Sequence, residues 1–202
     1  MISLYEFTLS GNCHKVRLML SLLGLPYNSI LVDSAHQAHK SPEFLGMNPF
    51  GQVPVLTDGA VVLRDSQAIL FYLARAYGKG DWLPDDPVMA AQVVAWLATA
   101  ANEVWQGPAM LRLHHKFAKP IDEAAAHAVT AELFHILEAH LSAQPWLVNP
   151  LPTIADVAMY PYIALVPEGK WNLEPYPNLR AWLSRIRALP GYVGMPGMYD
   201  GC

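Results

Sequence analysis

Val53-Pro54-Val55-Leu56-Thr57-Asp58-Gly59-Ala60-Val61-Val62-Leu63 decides the fold. Two short apolar, β-branched runs flank the turn Thr57-Asp58-Gly59-Ala60, a pattern that predicts a β-hairpin. Pro54 breaks the pattern, because a proline inside a strand removes a ladder hydrogen bond and is confined to edges or bulges. Two readings stay open. Pro54 is an ordinary edge-strand proline, or Val53-Pro54 is a cis peptide that leaves the Val53 N–H and C=O free for an extended ligand.

Upstream, Ile2–Phe7 alternates as a strand, and Ser10-Gly11-Asn12 punctuates it. Val16, Met19, Leu20 and Leu23 then mark one face of a helix that Gly24 and Pro26 stop. Ser29–Val32 reads as a second strand, parallel to the first through a right-handed βαβ crossover. The polar stretch Asp33 to Asn48 carries only weak helical signal. After the hairpin, Ser66–Tyr77 is a helix with Ile69, Leu70, Leu73 and Tyr77 on one stripe. The order βαβ, then ββα, fills residues 1–77.

Gly78-Lys79-Gly80-Asp81, with Pro84 and Pro87, makes residues 78–87 a linker. Beyond it every long segment is helix-like, over about 88–113, 121–142, 153–165 and 177–189, so residues 88–202 are read as an all-helical domain. Pro161 is expected to kink or shorten its helix. Gly191 to Cys202 reads as irregular.

The 202 residues are 53% hydrophobic and 15% charged, which excludes disorder for most of the chain. Lys+Arg 13 against Asp+Glu 17 gives −4, so phosphate neutralisation along a nucleic acid is not expected. Apolar runs are broken well short of ~18 residues and no secretory signal is read, so the expectation is a cytoplasmic protein without a membrane span. The two cysteines, Cys13 and Cys202, form no CxxC pair, and Cys202 reads as inert or freely exposed.

Three positions can carry chemistry. Ser10 sits between the first strand and helix, either as a simple cap or as a hydroxyl donating to a ligand thiolate. A free thiol titrates near ~8.5, and each unit of lowering takes ~1.4 kcal/mol. A charge-assisted hydrogen bond contributes roughly 1.5–3 kcal/mol and a helix N-terminus about 0.3–1, together enough for about two units. Asp65-Ser66 marks another helix start, where Ser66 caps or binds a carboxylate and Asp65 can hold an ammonium. Cys13 is a packing residue or a redox thiol lowered by the helix dipole. His114-His115 reads as a solvated face rather than a metal site, since a helix does not aim adjacent residues at one point. His39-Lys40 is surface charge, or partners a ligand carboxylate beside Pro54.

Taken together, these residues resemble the cytosolic glutathione transferases. The resemblance rests on His39-Lys40-Ser41-Pro42-Glu43-Phe44-Leu45, Asn48-Pro49-Phe50-Gly51-Gln52-Val53-Pro54-Val55-Leu56 and Asp65-Ser66-Gln67-Ala68-Ile69. Thr153-Ile154-Ala155-Asp156 and Tyr176-Pro177-Asn178-Leu179 with Trp182 continue it in the helical half. It implies a thioredoxin-like N-terminal domain, an all-α C-terminal bundle and a homodimer, with glutathione as co-substrate and no metal. The N-terminal half looks like the phi, theta and beta branches, and Ser10-Gly11-Asn12-Cys13 partly resembles the zeta-type cluster.

By that resemblance Ser10 is catalytic, with Asn12 and Cys13 beside it. His39, Lys40, Gln52, Val53, Pro54, Asp65 and Ser66 bind glutathione, and Phe50 enters the partner subunit. Asp65 stands where glutamate is commoner. A second-substrate pocket for an apolar electrophile is expected between Leu9 and Trp105, Pro108 and Met110, residues that otherwise read as core. The expected reaction is attack of a glutathione thiolate on that electrophile. A glutathione-dependent disulfide reductase, peroxidase or isomerase, and a non-catalytic binding protein on the same fold, are the alternatives.

Overall fold

The computed structural model of the chain describes every residue except Asn149 and Cys202, so the expectation for Cys202 lies outside the described residues. Strand β1 (Ile2–Glu6), helix α1 (Gly11–Leu22) and strand β2 (Tyr27–Leu31) form the βαβ unit, with Leu4 of β1 paired in parallel to Ser29. Strands β3 (Val55–Asp58) and β4 (Val61–Arg64) form the hairpin, and β3 runs antiparallel to β1 with Leu56 opposite Leu4. The sheet order is β2-β1-β3-β4. The Val53–Pro54 peptide is cis, and β3 begins only at Val55, so the proline removes no ladder bond.

Alternation along β1 turns Ile2, Leu4 and Glu6 inward. The two apolar side chains join Val16, Met19 and Leu20 of α1 and Ile69, Leu70 and Leu73 of helix α3 (Ser66–Tyr77) in the core. Glu6 is buried, and its charge is met by Arg17 and the Ser29 hydroxyl, the latter at 2.6 Å. The stretch read as weakly helical contains a six-residue helix, α2 (Pro42–Met47). Ser41 caps it by accepting from the Phe44 N–H at 3.2 Å, and Pro42 opens it, so the start signals outweighed the missing periodicity. Phe44 packs edge-on to Tyr5 on the opposite sheet face, with centroids 6.4 Å apart.

The helical half comprises α4 (Pro87–Ala101), α5 (Met110–Phe117), α6 (Glu123–Ala143), α7 (Ile154–Ala164) and α8 (Pro177–Arg187). The single helix expected over 88–113 is instead two, separated by a widened π turn over Trp105–Ala109. Pro108 lies within that turn and has no N–H for the regular ladder. Gly107 lets α6 approach there, since a β-carbon on it would stand 2.7 Å from the Thr130 hydroxyl.

Every residue of α7 is buried, and the helix packs against α1, α3 and α4. Thr153 and Asp156 form its capping box. Asp156 also accepts from the Leu147 N–H at 3.1 Å and the Trp182 indole at 2.8 Å, tying α7 to α8. Burial raises the Asp156 carboxyl above its ordinary range, and those donors draw it back. Pro161 does not stop the helix, which continues to Ala164 with Leu165 N–H reaching the Pro161 carbonyl at 3.0 Å. No helix among the described residues is long and apolar enough to cross a membrane.

The segment after α8 is irregular but pinned. Tyr199 N–H reaches the Ala164 carbonyl at 2.7 Å, and the His14 ring meets the Val193 carbonyl at 3.0 Å. Burial, with Arg17 beside it, pushes His14 down to about 3, so the native state holds it neutral. The unfolded chain binds that proton with its ordinary affinity, so stability is present above the unfolded pKa of ~6.5 and is lost as pH falls. Denaturant titrations should show unfolding free energy dropping by about 1.4 kcal/mol per pH unit from this one group between about pH 6 and 5. His14→Asn should flatten that slope whatever it does to stability at neutral pH. An unchanged slope would remove His14 as the cause.

Candidate active site

The turn after β1 delivers Ser10 to the start of α1. Ser10 N–H donates to the Phe7 carbonyl at 3.2 Å, and its side chain accepts from the Cys13 N–H at 3.3 Å. Ser10 is therefore the N-cap, and its hydroxyl also lies in hydrogen-bond contact with the Cys13 thiol. It borders a cleft of about 1050 Å³ between the sheet half and the helical half. Leu9, Asn12, Phe50, Asp65 and Ser66, and the whole set His39, Lys40, Gln52, Val53 and Pro54, border the same cleft.

The floor of the cleft is backbone. Val53 makes no hydrogen bond through its N–H or C=O among the described residues, leaving a free edge beside the cis peptide. Asn48, buried and given no role by the sequence reading, fixes the approach to it. Its amide donates to the Gln52 carbonyl at 2.7 Å and accepts from the Phe50 N–H at 3.1 Å. The Lys40 ammonium donates to the carbonyls of Phe50 at 3.0 Å and Gly51 at 2.9 Å, which leaves one of its three protons uncommitted. Gly51 has φ 57°, and a β-carbon there would meet the Lys40 ammonium at 2.7 Å. His39 lies edge-on to Phe7 with centroids 5.4 Å apart, and its buried Nδ1 has no partner.

At the start of α3 the cap is Asp65, not Ser66. One Asp65 oxygen accepts from the Gln67 N–H at 2.9 Å and the Ala68 N–H at 3.2 Å, the second makes no hydrogen bond among the described residues, and the buried Lys15 ammonium is attracted to the carboxylate. Asp65 adopts φ 72° and ψ 128°, a backbone region that costs a non-glycine residue about 1–3 kcal/mol. Ser66 is the first helical residue and buried, its hydroxyl donating to the Gln67 side chain. Phe50 is 60% exposed at the rim, with the Arg64 guanidinium 4.5 Å from its ring centroid.

Three expected positions fall elsewhere. Cys13 does not border the cleft, because the helix turns its side chain into the core. Burial pushes its thiol up to about 11 despite the Ser10 contact, so it stays protonated at neutral pH. Pro108 is buried within the π turn, and Met110 faces a separate hollow of about 190 Å³ against α6. The break between α4 and α5 rotates both away from Ser10.

The wall opposite Ser10 is Trp105, Arg112, Leu113, Phe117, Lys119 and Tyr162. Trp105 and Tyr162 meet edge-to-face with centroids 6.1 Å apart. Arg112 is buried, donating to the Leu9 carbonyl at 2.9 Å and to Glu168 at 2.6 Å. The sequence signal that could have found Tyr162 was weak, since a tyrosine in an all-buried helix reads as core.

The chain matches the model of the glutathione S-transferase N-terminal domain over residues 9–76 and that of the C-terminal domain over residues 107–190. It is 30% identical to glutathione S-transferase 3 of Zea mays, covering 95% of this chain and 91% of that one. It is 31% identical to the disulfide-bond oxidoreductase YfcG of Escherichia coli, over 94% of this chain and 92% of that one. A crystal structure of a glutathione S-transferase from Pseudomonas fluorescens superposes with a TM-score of 0.90 at 32% identity, covering 96% and 98% of the two chains. With both domain models in tandem and full-length relatives at this identity, the chain belongs to the glutathione S-transferase family.

Proposed function

We propose that this protein binds glutathione along the Val53 edge and activates its sulfur as a thiolate at Ser10, for attack on a small electrophile lodged against Trp105 and Tyr162. The carrying observation is that the Ser10 hydroxyl, the free Val53 backbone edge and the Asp65 carboxylate border one cleft. Val53 would exchange hydrogen bonds with the cysteinyl residue of the tripeptide, as a strand adds to a sheet edge. Asp65 and Ser66 would take the γ-glutamyl end, and Gln52, His39 and the spare Lys40 proton the glycyl end. Orientation and the lowered thiol pKa then supply the rate. The thiolate sulfur bonds to the electrophilic carbon, and the electron pair leaves with the displaced group.

The same reading makes the protein a cytoplasmic homodimer divided at residues 78–87, with Phe50 entering the partner; its exposure at the cleft rim supports that role. A second reading, glutathione-dependent disulfide reduction, is favoured by the similarity to the disulfide-bond oxidoreductase. In that chemistry the bound thiolate attacks one sulfur of a disulfide, the other leaves as a thiolate, and a second glutathione resolves the mixed disulfide. It does not call on Cys13.

Ultraviolet titration of bound glutathione should give a thiol pKa about two units below ~8.5, reverting in Ser10→Ala. Conjugation of an aryl halide by that variant should fall about tenfold or more near pH ~6.5, and far less at high pH, where free glutathione is itself ionised. A variant equally impaired at every pH would refute thiolate stabilisation by Ser10.

Cys13→Ala should conjugate and reduce disulfides at the parental rate. Peptide mapping after iodoacetamide treatment of the native protein near neutral pH should find Cys13 unmodified. Rapid Cys13 labelling, or loss of reductase turnover in the variant, would restore it as a redox centre. Asp65→Ala should raise the KM for glutathione by about tenfold or more, as expected for a lost charged hydrogen bond, with a smaller effect on kcat.

A further inference from the structure

Helix α5 ends at Phe117, and Ala118 takes a left-handed conformation at φ 53° that turns the chain back within five residues into α6. The turn brings the first residue of α6, Glu123, against the last turn of α5. The Glu123 carboxylate lies 3.1 Å from His115 Nε2 and 3.7 Å from His114 Nε2. His127, one turn further along α6, places its own Nε2 3.7 Å from the same carboxylate. Adjacent histidines on a helix do diverge, but the carboxylate returns from the next helix to meet both. The ligand atoms of His114, His115 and Glu123 all lie within 4.8 Å of one another.

A second observation fixes the chemistry of the cluster. His114 Nδ1 is 2.9 Å from the Lys119 carbonyl, which only accepts, so the ring proton sits on Nδ1. In the neutral ring this leaves the lone pair on Nε2, aimed at a carboxylate that offers only lone pairs in return. A dication between the groups would engage both sets of lone pairs at once. An imidazole oriented through its far nitrogen by a backbone carbonyl is also how metal-bound histidines are held. Lys116 and Lys119 do not fill the gap, for one pairs with Glu168 and the other lies over the Trp105 ring.

We propose that His114, His115 and Glu123, with His127 as a further ligand, form a binding site for a borderline transition-metal dication such as Zn2+ at the α5–α6 turn. Tetrahedral coordination at about 2.0–2.1 Å sets ligand atoms about 3.3 Å apart. The His115–Glu123 pair already stands near that distance, and the His114–Glu123 pair needs a shift of about 0.4 Å. Imidazole nitrogen with a single carboxylate suits zinc, nickel or copper and not calcium or magnesium, which take oxygen. Helix α5 also carries Arg112, Leu113 and Phe117 of the cleft wall, so the ion would clasp the turn that ends that wall.

The test is calorimetric titration of the untagged full-length protein with Zn2+ in chelator-free buffer without glutathione. The expected result is one ion per chain, released by chelation, with affinity lowered about tenfold or more in His114→Ala/His115→Ala and in Glu123→Gln. Zn2+ should also raise the melting temperature of the parent and not of the Glu123→Gln variant, which separates binding from misfolding. His36→Ala, which removes a histidine paired with Asp33 elsewhere, should bind as the parent does. Absence of binding overturns the proposal. So does equal binding in the variants, or loss in the histidine variant with Glu123→Gln unchanged. None of these outcomes bears on glutathione chemistry at Ser10.

Discussion

The arrangement depends on how closely the helical half approaches the start of α1. A β-carbon on Gly11 would stand 2.7 Å from the Tyr162 ring, a separation no side chain tolerates, so only glycine lets α7 seat there. Arg112 adds a second tie, from α5 to the Leu9 carbonyl immediately before Ser10. The Ser10 turn is thus held from the sheet side by the Phe7 carbonyl and from the helical side by a tyrosine ring and a guanidinium. Binding geometry set by packed elements is more exact than geometry left to a free loop.

Buried charge around this turn follows the same logic. Arg112 is nearly inaccessible, and such a group is tolerated only with partners. Burial works against the charge of Glu168, yet Lys116 and Arg112 hold its carboxyl below the ordinary range. The pair acts as a positioning device, since removing Glu168 strands the buried Arg112 charge, whereas Glu168 keeps Lys116 if Arg112 is lost. The Tyr162 phenol, pushed up to about 12 chiefly by burial, stays protonated beside the amides of Gly11 and Asn12. The first amides of α1 therefore meet a neutral phenol oxygen rather than an anion on that side.

Much of this was legible in the residues because it is local. The hairpin, the β1–α1 turn with Ser10 as its cap, and the Thr153–Asp156 box are set by short-range turn and capping chemistry. The rest depends on where the chain goes next. Cys13 lies three residues from Ser10, but 3.6-residue periodicity sends it into the core rather than the cleft. Met110 and Pro108 were placed by assuming one straight helix, and the π turn re-aims both. Lys40 is drawn to the Phe50 and Gly51 carbonyls, a tertiary contact that no spacing encodes.

Asp65 shows why the cleft divides its labour between a strict floor and a tolerant wall. Its strained backbone carries a cost of about 1–3 kcal/mol, which persists because the cap bonds to Gln67 and Ala68 and the packing of α3 over-determine it. One carboxylate oxygen is consumed by the cap, so the other is aimed without rotamer freedom to lose on binding. The floor, built from Val53, Asn48 and Asp65, would thereby hold a ligand through backbone edges and an oriented carboxylate. The wall of Trp105, Leu113, Phe117 and Tyr162 offers ring and aliphatic surface, whose attraction scales with area and not with direction. On the proposed reading, a rigid polar floor would select one tripeptide, whereas the largely non-directional surface of the wall would admit electrophiles of similar size. In that proposal, selectivity for the nucleophile would reside in the sheet half and breadth toward the second substrate in the helices that face it.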